Sequence, residues 1–352
     1  MRQRCRGEWL LVLRAPGQIE PVPDAVVDAA RRFTVAVRAH GEMAPTLVDT
    51  DGATAGATGH SVDFNSEGSG IVIDQRGLVL TNAHVIADAR RIEIQVAGVG
   101  WMPARVVGAD PQTDLVVLGV DRALPAAASL GDVATVDAGR PVAALGYAPE
   151  QLQRGAATVL RGHVRLRRQS LQAALDPSGQ QFYAALLEST VPNPQGYSGG
   201  PLIDADGRVI GISTAAAFDA QSGQRLGYAI PLSGQTRSII ERLARGENVS
   251  HGFLGLLVRA SDRSAGEAGG VLAAKVIRGG PAAAAGIRAG DRIMAIGGVD
   301  VQDASHLAEI VHHTPADTPL TINLARQGRR LSVIAVLRAR SGAGASAGQA
   351  GG

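Results

Sequence analysis

The sequence predicts a mainly β protein built from two modules, and three observations carry that reading. Short β-prone runs bounded by Gly, Asp or Pro recur to about residue 232 with no helical periods between them, which favours a barrel or sandwich over a parallel α/β sheet. Aromatic residues make up 3% of the 352 residues while glycine contributes 45, so the cores are expected to be Val, Ile, Leu and Ala with many turns. After Gly246 the pattern changes to a few strands around one helix, and the length suffices for two domains of roughly 100–200 residues each.

Residues 1–23 read as a poorly ordered lead-in ending at Pro21-Val22-Pro23. Asp24 is placed to cap a short helix over 25–32, its carboxylate accepting a first-turn N–H. The first domain is expected over 24–246. Residues 41–66, rich in Gly, Ala, Thr and Asp, read as a long loop, of the kind that often carries function. Residues 70–80 read as two strands about a turn and 91–96 alternates strictly; 115–120, 141–146, 157–160 and 208–213 continue the series. Over 233–245, Ile239, Ile240 and Leu243 have helical spacing and Gly246 is a stop. A linker at 246–251 leads to a second domain over 252–340. Its strands are expected at 254–258, 270–276 and 291–296, a helix over 304–313, and a strand pair at the end. Residues 341–352 read as a disordered Gly/Ala/Ser tail.

Composition excludes several functions. Thirty-four basic against 32 acidic residues leave a net charge of +2, too little for a nucleic-acid partner. Lys275 is the only lysine, a bias toward arginine best read as codon usage. Cys5, the single cysteine, excludes an intramolecular disulfide or a Cys-based zinc site. His312 and His313, with His306 nearby, point to different helix faces, so no metal and no cofactor are expected. No run approaches the roughly 18 apolar residues that span a bilayer. The apolar stretch 9–13 behind the basic start is shorter than the roughly 7–15 residues of an export signal, so no signal peptide is expected from it.

The chemistry lies in three motifs. In Gly196-Tyr197-Ser198-Gly199-Gly200-Pro201 the glycines allow the chain to turn N–H groups inward beside a serine, which supplies nucleophile and oxyanion donors together. Thr81-Asn82-Ala83-His84-Val85 puts a histidine directly after an apolar strand. Thr113-Asp114-Leu115 puts an aspartate at the mouth of another. Singly, each has a bland reading: an edge histidine, a turn aspartate, a tight Gly-Gly turn. The order His84, Asp114, Ser198 is that of chymotrypsin-type proteases and differs from the subtilisin and α/β-hydrolase orders.

These three motifs, with Gly227-Tyr228-Ala229-Ile230-Pro231 downstream, resemble the HtrA/Deg family of trypsin-like serine proteases. The resemblance covers about 30–340 and extends to Gly252-Phe253-Leu254-Gly255-Leu256 and the run 280–298, which look like the carboxylate-binding loop and core of a PDZ domain. It implies a chymotrypsin-like double β-barrel of two six-stranded barrels with the site between them, followed by one α+β PDZ module. By carry-over His84 is the general base, Asp114 its orienting partner and Ser198 the nucleophile. The oxyanion loop is Gly196, Tyr197 and Ser198, with the Gly196 and Ser198 amides as donors. Ile212, Ser213, Thr214 and Ala215 resemble the strand that pairs with the substrate backbone. Asn193 falls near the floor of the primary specificity pocket and should make it small and mildly polar. Phe253, Leu254, Gly255 and Leu256 would take a terminal carboxylate, with Leu307, Ile310 and Val311 as the apolar wall. The regulatory loops would lie at 41–66, at 160–177 and before Ser198.

The resemblance implies an ATP-independent endopeptidase acting on unfolded or partly folded proteins in the periplasm or cell envelope. Its PDZ module would bind C-terminal peptides or regulate activity, and a homotrimer is the family's usual assembly. Tyr197 departs from the family, whose serine is preceded by Asn or Asp, as does Pro192-Asn193-Pro194-Gln195. That keeps open a second reading, a protease-like chaperone or peptide-binding scaffold with a locked site. A secreted digestive enzyme is disfavoured by the lack of disulfides.

Overall fold

The apolar runs of the first two thirds form twelve strands that close into two barrels of six. The computed structural model describes residues 3–5, 8–10, 20–43, 62–152, 155–172, 182–219, 222–260 and 270–339. Within the expected lead-in, β1 (Gln3–Cys5) and β2 (Glu8–Leu10) pair as an antiparallel ribbon. The helix α1 (Asp24–Arg31) starts one residue before its expected position. Asp24 does not cap it: Pro23 holds the cap position without a side-chain bond, and the Asp24 carboxylate instead pairs with Arg161 of the second barrel.

The first barrel comprises β3 (Thr34–Met43), β4 (Val62–Asp74), β5 (Leu78–Thr81), β6 (Ala89–Val96), β7 (Gly100–Asp110) and β8 (Leu115–Gly119), in the order β3-β4-β5-β8-β7-β6. Val35, Val37, Ile71, Leu80, Ile94 and Val117 fill it, all without exposure. The loop expected over 41–66 is shorter at both ends, because β3 and β4 stay paired out to Met43 opposite Val62; residues 44–61 lie outside the described ones. β7 was not expected, since it contains Pro103 and its buried and exposed residues do not alternate.

The second barrel comprises β9 (Pro141–Gly146), β10 (Thr158–Gln172), β11 (Phe182–Ser189), β12 (Pro201–Ile203), β13 (Val209–Phe218) and β14 (Arg225–Pro231), in the order β10-β11-β14-β13-β12-β9. A turn of helix, α2 (Pro149–Leu152), follows β9. The strand expected at 157–160 is in fact 15 residues long, so residues 160–172 of the segment assigned to a regulatory loop at 160–177 are strand, paired first with β9 and then with β11. Residues 173–181 lie outside the described ones.

α3 (Gly234–Ala244) is capped by Ser233, whose hydroxyl accepts from the Thr236 amide, and buries Ile239, Ile240 and Leu243. It packs on the first barrel so closely that a Cβ on Gly108 would fall 2.5 Å from the Leu243 carbonyl. Gly246 then ends the helix at φ +73°.

In the last module β16 (Leu256–Ala260), β17 (Val271–Val276), β18 (Arg292–Ile296), β20 (Pro319–Arg326) and β21 (Arg329–Val336) form one antiparallel sheet, with β19 (Val299–Asp300) paired to β18. A second small ribbon joins β15 (Gly252–Phe253) to β22 (Arg338–Ala339). α4 (Pro281–Ala284) and α5 (Ala304–His313) cover the sheet, closing a core of Leu254, Val271, Ile293, Ile322 and Leu337. The strand expected at 254 begins at Leu256 as the first of the sheet, because Gly255 breaks the extended chain at φ +80°. Among the described residues no helix is long and apolar enough to cross a membrane.

Candidate active site

β5 ends at Thr81, and the chain turns at once into a single 3-10 turn, Ala83–Ile86, which carries His84. Asp114 occupies the turn before β8 at φ +58°, a left-handed conformation that Asp tolerates better than most residues. Two bonds to one backbone carbonyl tie these turns together: that of Asp114 accepts from the Ala83 amide at 3.1 Å and from Asn82 Nδ2 at 3.0 Å. The Asp114 carboxylate is fully buried and receives the His84 amide at Oδ1 (2.9 Å) and His84 Nδ1 at Oδ2 (2.8 Å). Thr214 Oγ1 donates to the same Oδ2 at 3.0 Å. The carboxylate of Asp114 accepts three donors, an arrangement that orients the imidazole with Nδ1–H toward Asp114 and leaves Nε2 as the acceptor.

Ser198 stands on the turn before β12, between the barrels. Its carbonyl accepts from the Ser69 amide of the first barrel at 2.7 Å, and the flanking Gly199 amide donates to the Ser213 carbonyl at 2.8 Å. The glycines here are obligatory: a Cβ on Gly199 would fall 2.1 Å from Thr81 Oγ1, and one on Gly196 2.2 Å from the Tyr147 carbonyl. The Ser198 hydroxyl donates to the Thr214 carbonyl at 3.1 Å. Among the described residues the amides of Gly196 and Ser198 have no internal acceptor, whereas the Tyr197 amide donates to Pro194 at 3.2 Å. Of the three residues expected in the oxyanion loop, Gly196 and Ser198 thus present open donors and Tyr197 does not. The Tyr197 ring is 1% exposed, packs on Gly146 and bonds Thr158 Oγ1 at 2.8 Å; it is part of the barrel core and does not fill the cleft.

The substrate-strand residues separate into two kinds. Ile212 lies opposite Pro201 and Ile230 in the sheet, and Ser213 gives both backbone groups to Gly199 and Gly200. Thr214 falls in a bulge of β13, with its carbonyl on Ser198 and its hydroxyl on Asp114. The Ala215 carbonyl accepts from Asn193 Nδ2 at 2.9 Å. Asn193, Ser189, Ser213, Gly227 and Tyr228 line a tight space with no room for a water molecule. Tyr228 donates to Glu188 at 3.2 Å, and Glu188 in turn meets Arg165 at 3.2 Å. Burial, and then the Glu188 carboxylate, push the Tyr228 hydroxyl up to about 12, so it remains a donor across the working range of pH.

In the last module the Gly255 carbonyl accepts from Ile277 and the Leu254 carbonyl from Ala282, both turned inward. The Leu254 and Gly255 amides have no internal acceptor among the described residues. β16 is an edge of its sheet, and α5 lies beside it with Leu307 buried and Ile310 half-buried. Phe253 is instead committed to the ribbon with Arg338. His306 Nδ1 takes the Gln302 amide at 3.4 Å.

Several contributors escaped the sequence. Ser69 joins the two barrels at the site, donating to the Gly196 carbonyl at 2.6 Å and accepting from the Tyr147 amide at 2.9 Å. Neither its role nor the reach of Thr214 to Asp114, 100 positions away, has any local signal.

Residues 68–212 match the family of the trypsin-like peptidase domain and residues 272–326 that of the PDZ domain. The chain is 34% identical over 285 residues to the putative serine protease HhoA of Synechocystis sp., covering 76% of this chain and 69% of that protein. It is 30% identical over 303 residues to a probable periplasmic serine endoprotease, DegP-like, of Halomonas elongata, covering 83% of this chain and 61% of the relative. A Rickettsia conorii relative of the same description is covered over 52% of its length, so the chain spans only part of the DegP-like proteins it matches. Among solved structures, the HtrA-type protease AlgW with a tripeptide superposes at TM-score 0.70 and 27% identity, covering 91% of this chain and 97% of that one. The same protease with a decapeptide gives TM-score 0.66 at 26% identity, covering 90% and 98%.

Proposed function

Because the chain belongs to the HtrA/Deg family of trypsin-like serine proteases, we propose that it is an ATP-independent endopeptidase of unfolded or partly folded proteins, with Ser198, His84 and Asp114 as its catalytic triad. The observation that carries this reading is the 2.8 Å bond between His84 Nδ1 and the buried Asp114, which holds Nε2 available for the serine proton. Ser198 Oγ attacks the scissile carbonyl as His84 Nε2 takes its proton. The resulting oxyanion is received by the Gly196 and Ser198 amides, and His84 returns the proton to the leaving amine. Water activated by the same imidazole then hydrolyses the acyl-enzyme. Asp114 keeps the imidazole in its working tautomer and stabilises the imidazolium, and Thr214 keeps Asp114 in place.

The PDZ module binds a C-terminal peptide as an added strand at β16, with the Leu254 and Gly255 amides toward the terminal carboxylate. The locked-scaffold alternative rests mainly on Tyr197, and the burial of that ring in the barrel core, away from the cleft, favours the protease reading. Casein digestion by the wild type and by Ser198→Ala, followed in parallel, tests the reading. Fragments from the wild type alone are expected; equal digestion, or none by either protein, contradicts it.

A further inference from the structure

We propose that Tyr197 is a positioning residue for the reaction: its buried ring and its hydroxyl together anchor the turn that presents the two oxyanion donors, so that the hole stands formed before substrate arrives. The inference rests on the protease reading and concerns the same site.

The turn is held through its peptide planes. Ser69 Oγ donates to the Gly196 carbonyl at 2.6 Å and the Tyr197 amide to the Pro194 carbonyl at 3.2 Å, which fixes the plane before Tyr197. The Tyr197 carbonyl accepts from the Gly200 amide at 2.9 Å, which fixes the plane after it. Across a trans peptide the carbonyl and the following N–H point opposite ways, so the Ser198 amide is turned away from Gly200 and stays open as a donor. Both planes meet at the Tyr197 Cα, and a rotation there would swing the Ser198 N–H out of line.

The Tyr197 side chain resists that rotation. Gly196, Gly199 and Gly200 have no side chain to hold the turn, and Ser198 must stay free to react. The Tyr197 ring is 1% exposed and lies in the core of the second barrel with Val142, Leu187, Leu202 and Ile210. Its hydroxyl meets Thr158 Oγ1 at 2.8 Å, and that oxygen in turn donates to the Gly146 carbonyl at 3.1 Å. Gly146 makes room for the ring, since a Cβ there would fall 2.6 Å from Tyr197 Cγ and 2.8 Å from its Cα. The Asn or Asp usual before the serine in this family is shorter by most of a ring and would leave the Thr158 bond unmade. A donor held in this way needs no reorganisation when charge develops on the substrate oxygen.

The test compares Tyr197→Phe, which keeps the ring and removes the hydroxyl, with Tyr197→Ala, which removes both. Each is made in the full chain and assayed with a quenched peptide that the wild type cleaves and with the matching peptide aldehyde, whose adduct with Ser198 places its oxygen at the two amides. In Tyr197→Phe kcat is expected to fall about fivefold, the worth of one hydrogen bond. In Tyr197→Ala it is expected to fall about 100-fold, as when one oxyanion donor is lost. KM should stay within about twofold and the aldehyde affinity should fall in step with kcat/KM, the signature of a loss confined to the transition state. Tyr197→Phe at the wild-type kcat overturns the inference, as does a loss in either variant that falls on KM and leaves the aldehyde affinity unchanged. Tyr197→Ala vacates core space; where it does not fold, Tyr197→Phe alone decides. If the wild type cleaves casein and peptide and Tyr197→Phe matches it, only this inference falls; if the wild type cleaves neither, the protease reading falls and the inference with it.

Discussion

Two aspartates on one turn, Asp110 at the end of β7 and Asp114 before β8, each bind a histidine, and the two pairs have opposite surroundings. His84 offers Nδ1 to Asp114 at 2.8 Å with 37% of its side chain exposed. His251 offers Nε2 to both Asp110 oxygens at 2.8 Å with 2% exposed. Thr113, between the aspartates, donates its hydroxyl to Asp110, and Thr214 donates to Asp114. The bonds are alike; what differs is the far side of each ring. His84 keeps a nitrogen toward the cleft, as the proposed proton transfer requires. His251 stands where the linker enters the last module, bridged to Pro315, and its pair fastens that module to the turn that carries Asp114. A buried His–Asp pair is thus a fastening by default and a catalytic device only when the second nitrogen faces a substrate.

The largest expected effect is on the open pair. Ser198→Ala or His84→Ala should cut peptide turnover by about 10⁶, and Asp114→Asn by about 10⁴ through the wrong imidazole tautomer, each with the unfolding midpoint little changed. Steady-state kinetics alongside calorimetry reads both. The closed pair should respond the other way: His251→Ala should cost about 2–3 kcal/mol of stability, the value of a hydrogen bond to a charged group left unmade in the interior, seen as a lower denaturant midpoint. A smaller effect lies outside both pairs. Gly227→Ala should cost at least about 1 kcal/mol of stability, since the added Cβ would fall 2.2 Å from the Val191 carbonyl, and the same denaturant titration reads it.

The smallest concerns pH. Burial would raise the Asp291 carboxyl of the PDZ module, but hydrogen bonds from Arg326 and the Arg288 amide outweigh it and hold the group below its ordinary value of 3.8. A depressed folded-state value means the stabilisation is complete above the unfolded value and is lost as pH falls through the folded one. Acid unfolding of Asp291→Asn should therefore show a weaker loss of stability below about pH 4 than the wild type. An unchanged profile would mean that the ion pair with Arg326 contributes little.

The same contrast explains what the sequence could disclose. His84, Asp114 and Ser198 were legible because each sits in a turn whose local residues are constrained: a positive φ at Asp114, glycines that a Cβ would drive into Ser69 and Tyr147. The barrel strands with apolar runs were legible for a similar reason, and α5 matched its expected bounds because Asp303 caps it visibly. β7 and β11 were missed: β7 contains Pro103 and does not alternate, although it pairs with its sequence neighbours β6 and β8, and β11 is held on one side by β14, a strand distant in sequence. His251 read only as linker, because its partner lies 141 positions away. Asp24 misled in the opposite sense: it fits a cap by type, but Pro23 precedes it and Arg161 claims the carboxylate.

The central claim, that one turn serves chemistry through Asp114 and fastening through Asp110, is tested most directly by kcat/KM of Asp114→Asn and Asp110→Asn on the same peptide below both unfolding midpoints. The account predicts a loss of about 10⁴ for Asp114→Asn against a loss within about tenfold for Asp110→Asn, whose cost appears in stability. Equal losses in the two variants, or activity retained in Asp114→Asn, would contradict it.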